Sequence, residues 1–328
     1  MDIEFLIADS SGDVAYVPVL EEGIEWTTER TGSPGKLTFT VVRDSTIQFE
    51  EGNAVRLKVD GENIFYGFVF KKKRDKDQLI EVTAYDQLRY LQNSDTYVYE
   101  DKTAAEFIQM IADDFYLNVG ELEDTEYVIG SRVEEDSTLF DMIQNALDLT
   151  LTNTGNLFVL YDDFGSLTLK NITNMYVGSD DEGYLMICES SAEDYEYTSS
   201  IDSETYNKIK LTYDNEDTGT REVYVAQDSE HINDWGVLQY FETLDENENG
   251  DSKADALLEL YNQKTRNLKI TNAIGDTRVR AGSMVIVSLD LGDITVQNFM
   301  LVEKCVHKFK LDEHFMDLTL RGGEFVVS

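Results

Sequence analysis

Gly52-Asn53-Ala54-Val55-Arg56-Leu57-Lys58-Val59-Asp60 and Gly282-Ser283-Met284-Val285-Ile286-Val287-Ser288-Leu289-Asp290 follow one pattern. A glycine opens each stretch, an aspartate closes it, and apolar residues recur at every second position between them. That alternation predicts a strand with one buried and one wet face. Each stretch leads through a turn into an apolar strand, Tyr66–Phe70 in the first and Phe299–Val302 in the second. Lysines, a polar turn and a closing strand with a central threonine follow, Val82-Thr83-Ala84 and Leu318-Thr319-Leu320. Gly52 to Thr83 spans 31 residues and Gly282 to Thr319 spans 37, a difference that a hairpin loop absorbs. Two readings stand: chance recurrence of a common β pattern, or two tube-like antiparallel β-barrels related by internal duplication. The second would let a trimer present six similar modules around one axis.

Leu37, Phe39 and Val41 alternate with Thr38 and Thr40, and Ile80, Val82 and Ala84 repeat the period. Strands this close in sequence favour antiparallel pairing. Near residue 102 the period changes. Thr103 and Glu106 have capping-box spacing ahead of Phe107, Met110, Ile111 and Phe115, and a second helix is expected from Ser137 with Leu139, Phe140, Ile143, Ala146 and Leu147 inward. A short hairpin is expected over 157–170, and the acidic stretch 178–200 reads as loop. Strand signals return at Ile209, Leu211, Tyr213, Val223 and Val225, and a polar loop and helix are expected over 245–264. The fold class is therefore mainly β with an α+β insert. The expected domains are a first barrel over 1–96, an insert over 97–200, and a second barrel over 201–328 interrupted at 245–264.

Composition limits the possible functions. The 328 residues are enough for two or three domains, and 18 Tyr and 16 Phe imply packed cores rather than a disordered chain. Sixty-five acidic against 27 basic side chains give a net charge of −38, which argues against stable binding of nucleic acid or anionic lipid. Cys188 and Cys305 form no disulfide framework and are expected to be reduced. Residues 1–13 lack a basic region followed by an apolar one, so no signal peptide is expected, and no apolar run is long enough for an integral membrane segment.

Several constellations fall short of a chemistry. Asp245, Asn247, Asn249, Gly250 and Asp251 have calcium-loop spacing, but Ala256 stands where the bidentate carboxylate belongs, so the loop is read as a polar turn ahead of a helix. His307 and His314 could meet across a hairpin, with Cys305 on the same face as His307. Zinc wants three or four ligands, and strand packing is the simpler reading. His231 stands in a polar stretch, apparently alone. With 65 acids, a glycosidase pair cannot be singled out. No nucleophile elbow, P-loop or dinucleotide fingerprint is present. The expectation is no catalytic, cofactor-binding or metal-ligating residue, and not an enzyme.

Two stretches carry a family resemblance. One is Val82-Thr83-Ala84-Tyr85-Asp86-Gln87-Leu88-Arg89-Tyr90-Leu91 with Tyr97 and the helix from Thr103. The other is Phe299-Met300-Leu301-Val302-Glu303-Lys304-Cys305-Val306-His307 with Glu313-His314-Phe315-Met316-Asp317-Leu318. Together with the order barrel, helical insert, small β region, second barrel, they resemble the baseplate hub proteins of contractile phage tails, the XkdQ-like proteins of defective prophages and phage-tail-like bacteriocins. The resemblance covers nearly the whole chain. It implies a structural homotrimer with pseudo-six-fold symmetry, and as partners the tail tube protein, the central spike protein and other baseplate proteins. It also implies assembly in the bacterial cytoplasm and release on lysis. The competing expectations are an acidic cell-wall-active glycoside hydrolase and a carbohydrate- or receptor-binding β protein. For the latter, Trp26 and Trp235 give little support because they lie far apart. The acidic excess suits a lumen that must not bind DNA. The run Lys71–Arg74 is read as a solvated hairpin tip or a contact for an acidic neighbour.

Overall fold

A computed structural model describes residues 1–9, 14–44, 47–74, 76, 79–179, 181, 183–202, 204–215, 219–244, 249–292, 295–310 and 312–322. The first region contains β1 (Ile3–Ala8), β2 (Ala15–Tyr16), β3 (Ile24–Glu29), β4 (Lys36–Val42), β5 (Ala54–Val59), β6 (Glu62–Arg74) and β7 (Leu79–Tyr85). The insert contains β8 (Ser94–Tyr99), β9 (Lys102–Thr103), α1 (Ala104–Asp114), β10 (Val119–Leu122), β11 (Val128–Ile129), β12 (Arg132–Thr138), α2 (Leu139–Thr154), β13 (Phe158–Asp162) and β14 (Leu167–Asn171). Four strands follow: β15 (Gly178–Ser179), β16 (Gly183–Tyr184), β17 (Met186–Cys188) and β18 (Asp194–Ser200). Next come β19 (Lys208–Asn215), β20 (Thr220–Gln227), α3 (Ser229–Trp235), β21 (Gln239–Thr243) and α4 (Gly250–Tyr261). The chain closes with β22 (Thr265–Ile274), β23 (Met284–Asp290), β24 (Thr295–Lys310) and β25 (Glu313–Gly322).

Both β regions belong to one sheet. Among the described residues its order is β18–β22–β25–β24–β3–β4–β7–β6–β5–β1–β2, with β23 also on β24 and β17 on β23. The alternation read from the sequence sets the buried face: Leu37, Phe39, Val41, Val55, Leu57, Val59, Val82 and Ala84 pack with Phe5, Ile7 and Trp26 in the first core. Leu268, Ile270, Val285, Val287, Met300, Val302, Cys305, Leu318 and Leu320 form the second. Burying a Val, Leu or Ile is worth about 1.5–3 kcal/mol. A one-residue slip would turn each face out to water, so the register is strongly fixed.

The two ladders match strand for strand. β3–β4–β7–β6–β5 and β18–β22–β25–β24–β23 have the same order and antiparallel sense. One row across the first is Trp26–Leu37–Ala84–Val69, and its counterpart is Tyr197–Leu268–Leu320–Val302. The register slips just after both Val69 and Val302, leaving Phe70 and Glu303 as the extra residues. Gly52 N–H donates to Val69 O (2.7 Å) and Gly282 N–H to Val302 O (2.8 Å). These glycines take φ of +90° and +93°, a region that strains other residues.

The insert has its own core, in which Phe107, Ile108 and Ile111 of α1 meet Leu139, Met142 and Ile143 of α2 over Leu160, Leu167 and Leu169. The capping box forms as its spacing predicts: Thr103 Oγ1 accepts from Glu106 N–H, and Glu106 Oε2 accepts from Thr103 N–H. The stretch 178–200 departs from the loop reading, since β17 and β18 both join the large sheet. β17 is only three residues, Met-Ile-Cys, and β18 is Asp-Tyr-Glu-Tyr-Thr-Ser-Ser, exposed along most of its length. The strands read at 209–213 and 223–225 do not join the large sheet. They form a separate three-stranded sheet, β20–β19–β21, whose core is Ile209, Leu211, Ala226, Leu244, Ala254 and Leu257. The hydrogen bonding thus crosses the expected boundary at 200. It places 186–200 with the second β region and 208–261 in an α+β unit of its own. Among the described residues no helix is long and apolar enough to cross a membrane.

Candidate functional site

The point where the β regions and the insert meet is the joint between β24 and β3. β23 accompanies β24 only as far as Leu301; beyond the bulge at Glu303, the same edge of β24 pairs with β3 instead, from Lys304 opposite Glu29 to Phe309 opposite Ile24. A bulge re-aims the strand at such a place. Glu303 then serves the joint twice: its carbonyl accepts from Arg30 N–H at 3.0 Å, and its Oε2 accepts from Arg30 Nε at 2.7 Å. Lys304 Nζ reaches Glu29 Oε1 at 2.7 Å. Bases on β24 therefore face acids on β3.

The histidines lie inside this joint. His307 is fully buried, stacked on Trp26 at 4.9 Å between ring centroids and flanked by Phe309. Its Nε2 lies 2.7 Å from Val279 O, and a carbonyl only accepts, so Nε2 carries the proton. Nδ1 then accepts from His314 Nε2 at 2.8 Å. Cys305 Sγ sits 3.2 Å from His307 Nε2. Burial lowers His307 to about 3 and His314 to about 4, and raises the Cys305 thiol well above its usual range. The three groups of the weighed zinc reading do converge, but as neutral packing. With its proton on Val279 and its lone pair on His314, His307 has no nitrogen left for an ion.

Arg280 ties the insert to the joint. Its Nη2 donates to Asp162 O at 2.9 Å, and its guanidinium lies 3.9 Å from the Tyr161 ring centroid and 5.9 Å from that of Trp26. The next residue, Ala281, donates its N–H to Thr28 Oγ1 of β3 at 2.9 Å. Asp162 Oδ1 accepts from Gly165 N–H at 2.6 Å, closing the Asp-Asp-Phe-Gly turn between β13 and β14. Asp86, at the end of β7, accepts from Gly35 N–H at 2.9 Å and from Leu88 N–H at 3.1 Å. A Cβ on Gly35 would run into the Asp86 carboxylate. Burial raises Asp86 well above the carboxylate range and Asp162 to about 6, against the pull of Arg280. Asp162 Oδ2 and Arg280 Nε are sealed from solvent without a hydrogen-bond partner among the described residues. One cation thus serves two enclosed carboxylates from the first region and the insert.

Other sequence candidates fall elsewhere. Lys71–Arg74 is the end of β6, not a hairpin tip: β7 pairs with all four, Lys72 reaches Glu51 at 3.2 Å, and Lys73 reaches Glu81 at 2.9 Å. Of the weighed calcium loop, 245–248 lie outside the described residues, and Asn249 caps α4 by accepting from Ser252 N–H at 3.2 Å. His231 is not alone: it stacks on Trp235 at 3.9 Å and contacts Asn262 Oδ1 at 2.7 Å. Sequence reading passed over Arg280, Asp86 and Asp162, which are ordinary charges until the fold encloses them. The one available signal is Arg278-Val279-Arg280-Ala281 directly before the patterned glycine Gly282.

The whole chain resembles solved tail proteins in fold. The 43 kDa tail protein of prophage MuSo2 from Shewanella oneidensis is 13 % identical with a TM-score of 0.68, covering 97 % of this chain and 98 % of its own. The tail protein of Neisseria meningitidis MC58 is 11 % identical with a TM-score of 0.67, covering 99 % and 98 %. The E. coli c3393 protein is a component of the type VI secretion system described as structurally similar to the T4 tail proteins gp27 and gp5. It matches with a TM-score of 0.60 at 11 % identity, covering 100 % of this chain and 79 % of its own. In sequence, the XkdQ protein of the phage-like element PBSX in Bacillus subtilis is 29 % identical over 316 residues, covering 93 % of this chain and 94 % of its own. The uncharacterised YqbQ of the same organism is 29 % identical over 317 residues, covering 93 % of each. The YQBQ-like family profile matches residues 24–321, nearly the whole of both β regions and everything between them, and the chain belongs to that family.

Proposed function

We propose that this protein is a structural hub of a phage tail or tail-like particle, working by assembly rather than catalysis. Three copies form a ring whose six β modules meet the hexameric tail tube on one face, while the other face holds the trimeric spike. In this reading 1–96 is the first tube-like module, 97 to about 177 the α+β insert, and the remainder the second module, interrupted by the α+β unit at 208–261. The modules derive from an internal duplication. The observation that carries the reading is the pair of matching five-strand ladders with the same bulge and the same glycine contact, joined at β24 and β3. The folds and names of the relatives support a tail component. The net charge of −38 suits a ring through which a polyanion slides without sticking. Assembly takes place in the producing cell, and the protein leaves it as part of the particle. Particles produced without this chain should have tubes and spikes that do not join; intact, spike-bearing tails from such cells would contradict the proposal.

A further inference from the structure

We propose that residues 323–328 continue β25 into the cleft between β22 and the first half of β24, placing Glu324 between Lys264 and Asn298 and closing that edge of β24 to strands from other chains. These residues lie beyond the described part of the chain. The inference stands apart from the trimeric reading and needs only the second β region.

The cleft lies where β25 stops. β24 has β23 on one edge from Thr295 to Leu301, and β25 reaches the opposite edge only at Leu301, opposite Arg321. Among the described residues no strand follows that second edge from Thr295 to Phe299. On the other side, β22 pairs with β25 as far as Arg266 opposite Gly322. Between the two strands is a cleft of about 390 Å³ whose wall includes Arg266, Thr295, Asn298, Met300 and Gly322. A free edge of this kind is a template for an added strand.

The chain's own next residues fit this seat in length, pattern and charge. β25 buries every second residue, Met316, Leu318, Leu320 and Gly322. The same period turns Glu324 and Val326 to that face. Carried forward, the β24 register sets Glu324 opposite Asn298, Phe325 opposite Gln297 and Val326 opposite Val296. The β22 register sets Glu324 opposite Lys264. Residues 323–327 thus match Phe299 back to Thr295 one for one. Val296 already packs on the second core, so Val326 extends it. Phe325 and Val327 turn to the opposite face, where Phe299 packs against Tyr176 and Tyr184. Phe325-Val326-Val327 is strand-forming sequence.

Charge selects an acidic occupant. The cleft wall holds two bases, Lys264 and Arg266, and no acid, in a chain with 65 acidic and 27 basic side chains. Both bases are exposed, and neither meets an acid among the described residues. Glu324 is the acid that both registers bring to them.

The test uses the full chain with Val296→Cys and Val326→Cys in a Cys188→Ser background. Directly opposite side chains on paired strands come within reach of a disulfide. Mild oxidation should link the two new thiols within one chain, seen as a joined pair of peptides from the monomer band. Val296→Cys with Phe325→Cys, whose side chains leave opposite faces, should link poorly. A second measurement leaves the strand unaltered. Amides of 324–327 in the full chain should exchange hydrogen about a hundredfold more slowly than in the isolated peptide. Glu324→Lys should forfeit about tenfold of that protection, and adding Lys264→Glu should restore it. Exchange at the free-peptide rate would overturn the proposal. So would a link that joins two chains instead of closing within one, which would give the seat to a second copy.

Discussion

His307 and Arg280 show how the joint is held at the scale of single groups. The His307 ring is neutral because its surroundings leave no room for a second proton: Val279 O takes the one it has, and His314 fills its lone pair. Its folded value of about 3 lies below the unfolded value near 6.5, so the unfolded chain takes up protons first on acidification. The stabilising contribution is complete above pH 6.5 and is lost as the pH falls toward 3, the loss reaching about 2 kcal/mol at pH 5. Imidazole resonances should show no titration of His307 between pH 8 and 4.5; a midpoint near 6.5 would refute the assignment. Arg280 works in the other direction. Arg280→Met removes the hydrogen bond to Asp162 O and the charge that favours ionisation of Asp162, and should cost about 2–3 kcal/mol in urea unfolding at pH 7. Asp162 has a raised folded value of about 6, so its ionisation weighs against the fold above that pH. The deficit of Arg280→Met should therefore shrink at pH 5. A deficit that grows on acidification would contradict the shared-cation account.

At the scale of elements, capping and glycine geometry make separable predictions. Thr103→Ala removes one half of the capping box on α1 and should cost about 1 kcal/mol in thermal or urea unfolding. Gly52 and Gly282 have the same backbone conformation, but a Cβ on Gly52 meets nothing within 4 Å, while one on Gly282 comes within 2.8 Å of Val159 Cγ1. Gly52→Ala should cost about 1 kcal/mol from backbone strain alone, and Gly282→Ala should cost clearly more. Equal losses would mean that the insert does not pack on Gly282 as described. What could be read from the sequence was local. The glycine-led strands, the Thr103 box and the closing Leu318-Thr319-Leu320 strand follow from period and spacing. β18 was passed over because it is a mostly exposed edge strand with a short alternation, Tyr195 and Tyr197 among Asp194, Glu196 and Thr198, of which Tyr197 packs on the second core. The 208–261 unit was misassigned because strand patterning at Ile209 and Val223 says a sheet exists but not which sheet. Arg280, Asp86 and Asp162 are separated by 76 and 118 residues, and only the assembled sheet brings them together. Sequence alone brought His307 near His314 across a hairpin, yet Trp26, which stacks on His307, comes from the opposite end of the chain.

At the scale of the whole molecule, one long strand explains the architecture. β24 carries the second region on its first half and hands its edge to β3 on its second, so the two modules share a sheet instead of being strung on a linker. A linker would let the modules move independently; a shared, bulged strand fixes the angle between them, which the proposed ring with six equivalent positions would need. In the proposed ring, the net charge of −38 would keep the passage clear of phosphate. The measurement that tests this most directly is a reconstruction, by electron cryomicroscopy, of the tube–spike junction in the purified particle. The account predicts three copies of this chain forming six β modules around the axis. A junction holding one, two or six copies, or three copies whose modules are not arranged as a six-membered ring, would contradict it.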